Sequence, residues 1–185
     1  APLRSAAWPW NRAVEAMQAL ARQIGLPVQV SEPFALPADM PIDRMNRWIE
    51  NAAEQSGLQI GQAFVALDEI DVMLSAGAPL LVRLTAIEGA PFLAVLGGRG
   101  RFVRTLGSDL RIHRLSARAV AAAIRRPFEA SVEGAIEPIV DRLQLTGRAR
   151  ARARTAMVAD RLKTARFRGC WLIRLPPSAS ISDTS

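Results

Sequence analysis

Phe92-Leu93-Ala94-Val95-Leu96-Gly97-Gly98-Arg99-Gly100-Arg101-Phe102-Val103-Arg104-Thr105-Leu106 decides how this chain reads. Two short apolar runs flank Gly97-Gly98-Arg99-Gly100, and strand-like runs around a glycine-rich turn predict a β-hairpin. A phosphate cradle is the competing reading of those glycines. They lack the lysine and Ser/Thr of a P-loop and they join two strands, so the hairpin is preferred. Leu80-Leu81-Val82-Arg83-Leu84 is a third run of the same kind. Runs that are apolar on both faces predict central strands covered by helices.

Helices are expected on both sides of this stretch. Upstream, from Trp10, Ala13, Val14, Met17, Leu20, Ala21 and Ile24 keep helical spacing until Gly25 and Pro27 stop it. Beyond Pro33 and Pro37, Asp39 is placed to cap a second helix, with Pro41 in its first turn and Ile42, Met45, Trp48 and Ile49 on its apolar face. Gly57 ends it, Gly61 to Leu67 suits a strand, and Asp68 opens a short helix through Met73 that Gly77 closes. Downstream of the hairpin, Ser116 caps a helix from Ala117 that Pro127 is expected to stop near Arg126. Helices on one antiparallel sheet make an α+β domain of residues 1–128, with Trp48, Met17, Leu81, Phe92, Val95 and Val103 in one core.

Composition narrows the chemistry. At 185 residues, half of them apolar, the chain suits one domain or one domain with an appendage. A lone Cys170 and a lone His113 exclude an intramolecular disulfide framework and Cys- or His-built metal sites. The N-terminal stretch lacks the parts of a signal peptide, and Ala78 to Gly98 is interrupted by Pro79, Arg83, Glu88 and Pro91, so no membrane span is expected there. A Cys170–His113 nucleophile pair has nothing in the sequence to bring it together, and Asp68, Glu69 and Asp71 read as first-turn helix acids.

Charge is uneven. Residues 1–140 hold 14 arginines against 14 acids, whereas residues 141–174 hold nine arginines and Lys163 against Asp141 and Asp160. The basic positions Arg148, Arg150, Arg152, Arg154, Arg161, Lys163, Arg166 and Arg168 follow a helix-compatible stretch, Ser131 to Leu145, that Pro138 interrupts. They lead into Gly169-Cys170-Trp171-Leu172-Ile173-Arg174-Leu175-Pro176-Pro177, after which serine-rich residues 178–185 read as a frayed end. The basic stretch has three readings: a solvated helix face, a nucleic-acid contact, or a helix beside an anionic membrane. Its only aromatics, Phe167 and Trp171, sit at one end, which argues against the stacking stripe of a single-strand binder.

Taken in order, the helix stopped at Gly25, the second helix, Gly57-Leu58 before a strand, Pro79-Leu80-Leu81, Phe92 to Leu96, the hairpin into Val103-Arg104-Thr105-Leu106 and the helix opened by Ser116 resemble a known family. They resemble the papain-like peptidase domain at the N-terminus of bacterial ABC exporters that process double-glycine leader peptides, over residues 8–126. Arg148 to Pro177 looks like the segment before the first transmembrane helices in exporters with a degenerate domain of this kind. The resemblance implies three divisions: a peptidase-like domain at 1–128, a helical basic linker at 129–177 and a disordered tail at 178–185.

The family's catalytic residues do not carry over. The nucleophilic cysteine belongs where Asn11, Arg12 and Ala13 stand, just after Trp10. The histidine position holds Pro91, ahead of Phe92, and the aspartate position falls near Gly107, with Asp109 as a doubtful substitute. Without thiol or imidazole such a site makes no thiolate and protonates no leaving group. The resemblance therefore implies a non-enzymatic accessory domain on the cytoplasmic face of the inner membrane, whose old substrate cleft, at Trp10, Arg12, Pro91, Phe92 and Asp109, holds an exported polypeptide or meets the parent transporter's own transmembrane and nucleotide-binding domains. It implies no metal or cofactor in this chain, with ATP and magnesium confined to the parent's nucleotide-binding domain, and places the basic stretch beside an anionic membrane surface. A stand-alone nucleic-acid-binding module is the alternative, and an enzyme built on Cys170 the third reading.

Overall fold

The computed structural model describes residues 2–29, 40–76, 78–85, 89 and 91–174. The fold is α+β. A short α1 (Pro2–Ser5) leads through a turn at Trp10–Arg12 into α2 (Ala13–Gln23) and α3 (Ile42–Gln55). Then come β1 (Ile60–Ala66), α4 (Ile70–Ser75), β2 (Leu80–Arg83), β3 (Phe92–Arg99), β4 (Phe102–Leu106) and β5 (Ile112–Ser116). The chain closes with α5 (Ala117–Arg142), α6 (Gly147–Thr164) and β6 (Arg166–Ile173). The described strands form one six-stranded antiparallel sheet in the order β1-β6-β2-β3-β4-β5. The expected cap Asp39, the stop at Gly77 and residues 175–185 lie outside the described residues.

Side chains alternate across this sheet, and helices cover both faces. Leu81, Phe92, Ala94, Leu106, Trp171 and Ile173 pack with α2 and α3. Leu80, Val82, Leu93, Val95, Val103 and Cys170 pack on the other face with α4 and the start of α5. This is why the central strands read as unbroken apolar runs. It also corrects the expected single core. Met17, Leu81 and Phe92 share one cluster with Trp48 at its margin, while Val95 and Val103 belong to the opposite face. A strand's period of two separates them.

The hairpin is present, but its glycines do more than turn. Gly97 lies at a register shift between β3 and β4, and the φ of +59° at Gly100 supplies the reversal. Gly98 is where α4 meets the strand: a Cβ there would sit 2.2 Å from the Leu74 carbonyl oxygen. Gly98→Ala should therefore destabilise the domain by about 1–3 kcal/mol, through backbone displacement in α4. A urea midpoint unchanged from the parent would show that α4 gives way freely.

Two expectations about the C-terminal third are overturned. Ser116 does cap α5, accepting from the Ala119 N–H at 3.4 Å, but the helix passes through both Pro127 and Pro138. Each internal proline costs about 3 kcal/mol in an isolated helix. Tertiary packing overrides that here: Val120, Ala121 and Ile124 are buried before the interruption and Ile136 and Val140 after it. The boundary expected at 128/129 thus falls inside α5. Nor is the described part of the linker expected at 129–177, residues 129–174, a linker, because β6 lies between β1 and β2, pairing Trp171 with both Gln62 and Leu81. Its partners are long separated in sequence, so no local pattern announces the pairing. β5 was likewise missed, its Ile112-His113-Arg114-Leu115-Ser116 alternation masked by charge.

Candidate functional site

Three sequence-remote segments meet at one end of the sheet, ahead of α2. Trp8 exchanges both backbone hydrogen bonds with Phe92, at 2.7 and 3.2 Å, and its indole Nε1 donates to the Leu106 carbonyl at 2.7 Å. The Trp10 ring stands edge-on to Phe92 with centroids 5.5 Å apart, and Phe92 in turn meets Trp171 at 6.5 Å. Trp171 Nε1 donates to Asn46 Oδ1 at 2.9 Å, which ties α3 to the same aromatic row. Aromatic rings bury large areas, and the indole N–H groups of Trp8 and Trp171 have the acceptors they need.

Arg12 crosses this junction. Its guanidinium lies 4.9 Å from the Trp8 ring centroid, donates to both Glu15 carboxylate oxygens at 2.5 and 2.7 Å, and donates to the Ser108 carbonyl at 3.2 Å. The hydrogen-bonded pairing raises the Arg12 pKa and lowers that of Glu15, so the two shifts agree. Asp109 is next to that carbonyl yet points elsewhere. It accepts from the Arg111 N–H at 3.0 Å and lies 3.0 Å from His113 Nε2, and chiefly the His113 contact holds its carboxyl below the ordinary value. Gly107 makes room for that pair, since a Cβ would come within 2.6 Å of both side chains.

Of the expected cleft residues, Trp10, Arg12 and Phe92 are therefore gathered, with Pro91 buried beside Phe92. Asp109 reaches the junction only through its neighbour Ser108. Sequence reading missed Trp8, the fully buried residue that joins the three segments. Its neighbours Ala6 and Ala7 are buried as well, so no helical or strand period marked it. What occupies the junction is indole, phenyl, pyrrolidine and a guanidinium already paired to its own carboxylate.

Cys170 and His113 lie apart. Cys170 is on β6 and His113 on β5, with β2, β3 and β4 between them. At roughly 4.8 Å per strand spacing that places them about 19 Å apart. Burial pushes the Cys170 thiol up to about 12. The native chain should resist iodoacetamide at pH 8 and be labelled at Cys170 only in denaturant, as mass spectrometry would read. Because the thiol's pKa is raised on folding, its contribution to stability is intact below pH 9 and is lost as pH rises from 9 towards 12.

The basic positions do not form one free surface. Arg150 pairs with Glu137 and Asp141, Arg154 with Glu133 and Glu137, and Arg168 with Asp43. The first four pairs lay α6 along the second half of α5. Arg166 donates to the Lys163 and Ala165 carbonyls at the end of α6. Arg148, Arg152, Arg161 and Lys163 are exposed, with no ion pair among the described residues. The described residues hold no cluster of three or more His, Cys, Asp or Glu suited to a metal, and no helix long and apolar enough to cross a membrane.

One further concavity has no counterpart in the sequence reading. A pocket of about 380 Å³ opens where β2 ends and β6 begins, between the start of α3 and the middle of α5. Arg83, Phe128, Phe167 and Ile42 are among its walls. The available signal was a single arginine in the otherwise apolar run Leu80 to Leu84. Comparisons with family models, with curated proteins and with solved structures find no match to this chain.

Proposed function

We propose that this chain is a papain-like, non-enzymatic accessory domain of an ABC exporter, working on the cytoplasmic face of the membrane. It engages the exported polypeptide or the transporter's own transmembrane and nucleotide-binding domains. The observation that supports this reading is the meeting of Trp8–Arg12, Pro91–Phe92 and Leu106–Ser108, with Asp109 next to the last. The resemblance assigns those segments to the nucleophile, imidazole and carboxylate of a peptidase, and here they are remote in sequence yet hydrogen-bonded to one another. Arg12 and Pro91 stand at the reactive positions, so the junction is suited to holding a chain rather than cutting one. Arg148, Arg152, Arg161 and Lys163 are the side chains left to face anionic lipid. The nucleic-acid alternative loses Arg150, Arg154 and Arg168 to acids of the same chain.

The reading frame beyond Ser185 tests this proposal. It should continue into apolar spans of about 20 residues, followed by a P-loop of the GxxxxGK[ST] type. A stop codon directly after Ser185 would overturn it. Cleavage of a double-glycine leader peptide by the chain would overturn the non-enzymatic part alone.

A further inference from the structure

The pocket at the end of the sheet carries an unanswered charge. Among the described residues three arginines line it, Arg83, Arg166 and Arg168, and no carboxylate does. Arg168 is neutralised by Asp43, and Arg166 is turned towards the carbonyls that end α6. Among the described residues Arg83 has neither kind of partner. It makes no ion pair among the described residues, its Nε is buried without a hydrogen-bond acceptor, and its guanidinium rests 5.3 Å from the Trp10 ring centroid. Burial lowers its pKa, the reverse of Arg12, Arg150 and Arg154, whose hydrogen-bonded acids raise theirs. A half-buried guanidinium with no counter-ion is costly, and an apolar residue of the same length would fold better.

Apart from Thr85 and Ser131, the rest of the described wall is apolar. Phe128 of α5 and Phe167 of β6 meet edge to face at 6.3 Å, with Ile124 and Ile42 beside them. Gly169, opposite Arg83 in the sheet, keeps the base open: a Cβ there would stand 3.0 Å from the Phe167 ring and 3.1 Å from Arg83 Cβ. The volume of about 380 Å³ lies within the range of small-molecule sites.

We propose that this pocket binds a small apolar carboxylate, its acyl or aryl body against Phe128 and Phe167 and its anionic head beside Arg83. Arg83 is the one lining arginine with neither a carboxylate nor a carbonyl partner among the described residues, and a monoanion matches that single guanidinium. A phosphate dianion would bring excess negative charge into an apolar pocket, where uncompensated charge is expensive. This inference stands apart from the exporter reading and survives or fails separately from it.

Sodium octanoate is a suitable probe, titrated against the full chain by calorimetry and by thermal unfolding, with octanamide and octyl phosphate alongside. Octanoate should bind saturably and raise the unfolding temperature, and octanamide should bind at least about tenfold more weakly, the usual scale for losing a charge-assisted contact. Arg83→Met should weaken octanoate by a similar factor of about ten, while the ligand-free variant unfolds at a higher temperature than the parent. Ser131→Trp, which crowds the pocket and leaves Arg83 in place, should also lose octanoate binding. The proposal is overturned by absence of saturable octanoate binding, by equal binding of octanamide or by undiminished binding to Arg83→Met. Tighter binding of octyl phosphate than of octanoate would equally overturn the choice of a carboxylate.

Discussion

A chain cut after Arg142 is expected to lose cooperative folding altogether, because the cut removes an interior strand along with α6. Phe167, Cys170, Trp171 and Ile173 of β6 are each at most 5% exposed, and they divide between the two faces of the sheet. Burying an apolar side chain of this kind stabilises by about 1.5–3 kcal/mol, so the four together supply roughly 6–12 kcal/mol. That rivals the entire stability of about 5–15 kcal/mol typical of a domain. The cut also strips β1 of its partner and leaves β2 as an edge strand paired with β3 alone. Urea unfolding of residues 1–142, followed by tryptophan fluorescence and circular dichroism, should show no sigmoidal transition. By contrast, Arg148→Ala and Arg152→Ala remove exposed side chains with no acid partner and should move the midpoint by no more than about 0.5 kcal/mol. A cooperative transition in the shortened chain would mean that β1 and β2 close the sheet without β6.

What could be read in advance follows the range of the interactions involved. The hairpin is local: residues 92–106 contain both strands and the glycines that reverse them, so their pattern was sufficient. The helical spacing from Ala13 to Ile24 and the Ser116 cap are local in the same sense. β6 is the opposite case, since Trp171 finds its neighbours at Gln62 and Leu81 across about a hundred residues of chain. Its opening Arg166-Phe167-Arg168-Gly169 continues the arginine-rich texture of α6 and hides the strand. Pro127 misled for a related reason. Its local cost is real, but Ile136, Val140 and the Arg150–Glu137 and Arg154–Glu133 pairs hold the second half of α5 in line. The same division applies to the site. Trp10, Arg12 and Phe92 could be named through a resemblance in order and spacing, whereas Trp8 and Arg83 matter only through what the folded chain places beside them.

Trp8→Ala should cost about 3–5 kcal/mol, the usual range for a large aromatic removed from a core. Trp8 is fully buried, and its side chain makes two contacts that alanine lacks, the indole bond to the Leu106 carbonyl and the stacking beneath Arg12, while its backbone pairs with Phe92. Trp8→Phe separates these terms. It keeps the backbone pairing and most of the ring, but leaves the Leu106 carbonyl buried without its donor, a loss of about 1–3 kcal/mol. Its effect should also reach the Ser108 carbonyl that Arg12 holds, because Ser108 follows Leu106 by two residues on the strand's exit. Denaturant midpoints for both variants, with unchanged m-values, measure the two losses. If Trp8→Phe costs no more than the roughly 0.5 kcal/mol of an exposed substitution, the indole bond does not hold this junction. The Arg12–Ser108 contact would then be the hydrogen bond that, beside the packing of Leu106 against α2, fastens α2 to the end of β4, and Arg12→Ala would become the damaging substitution in place of Trp8→Phe.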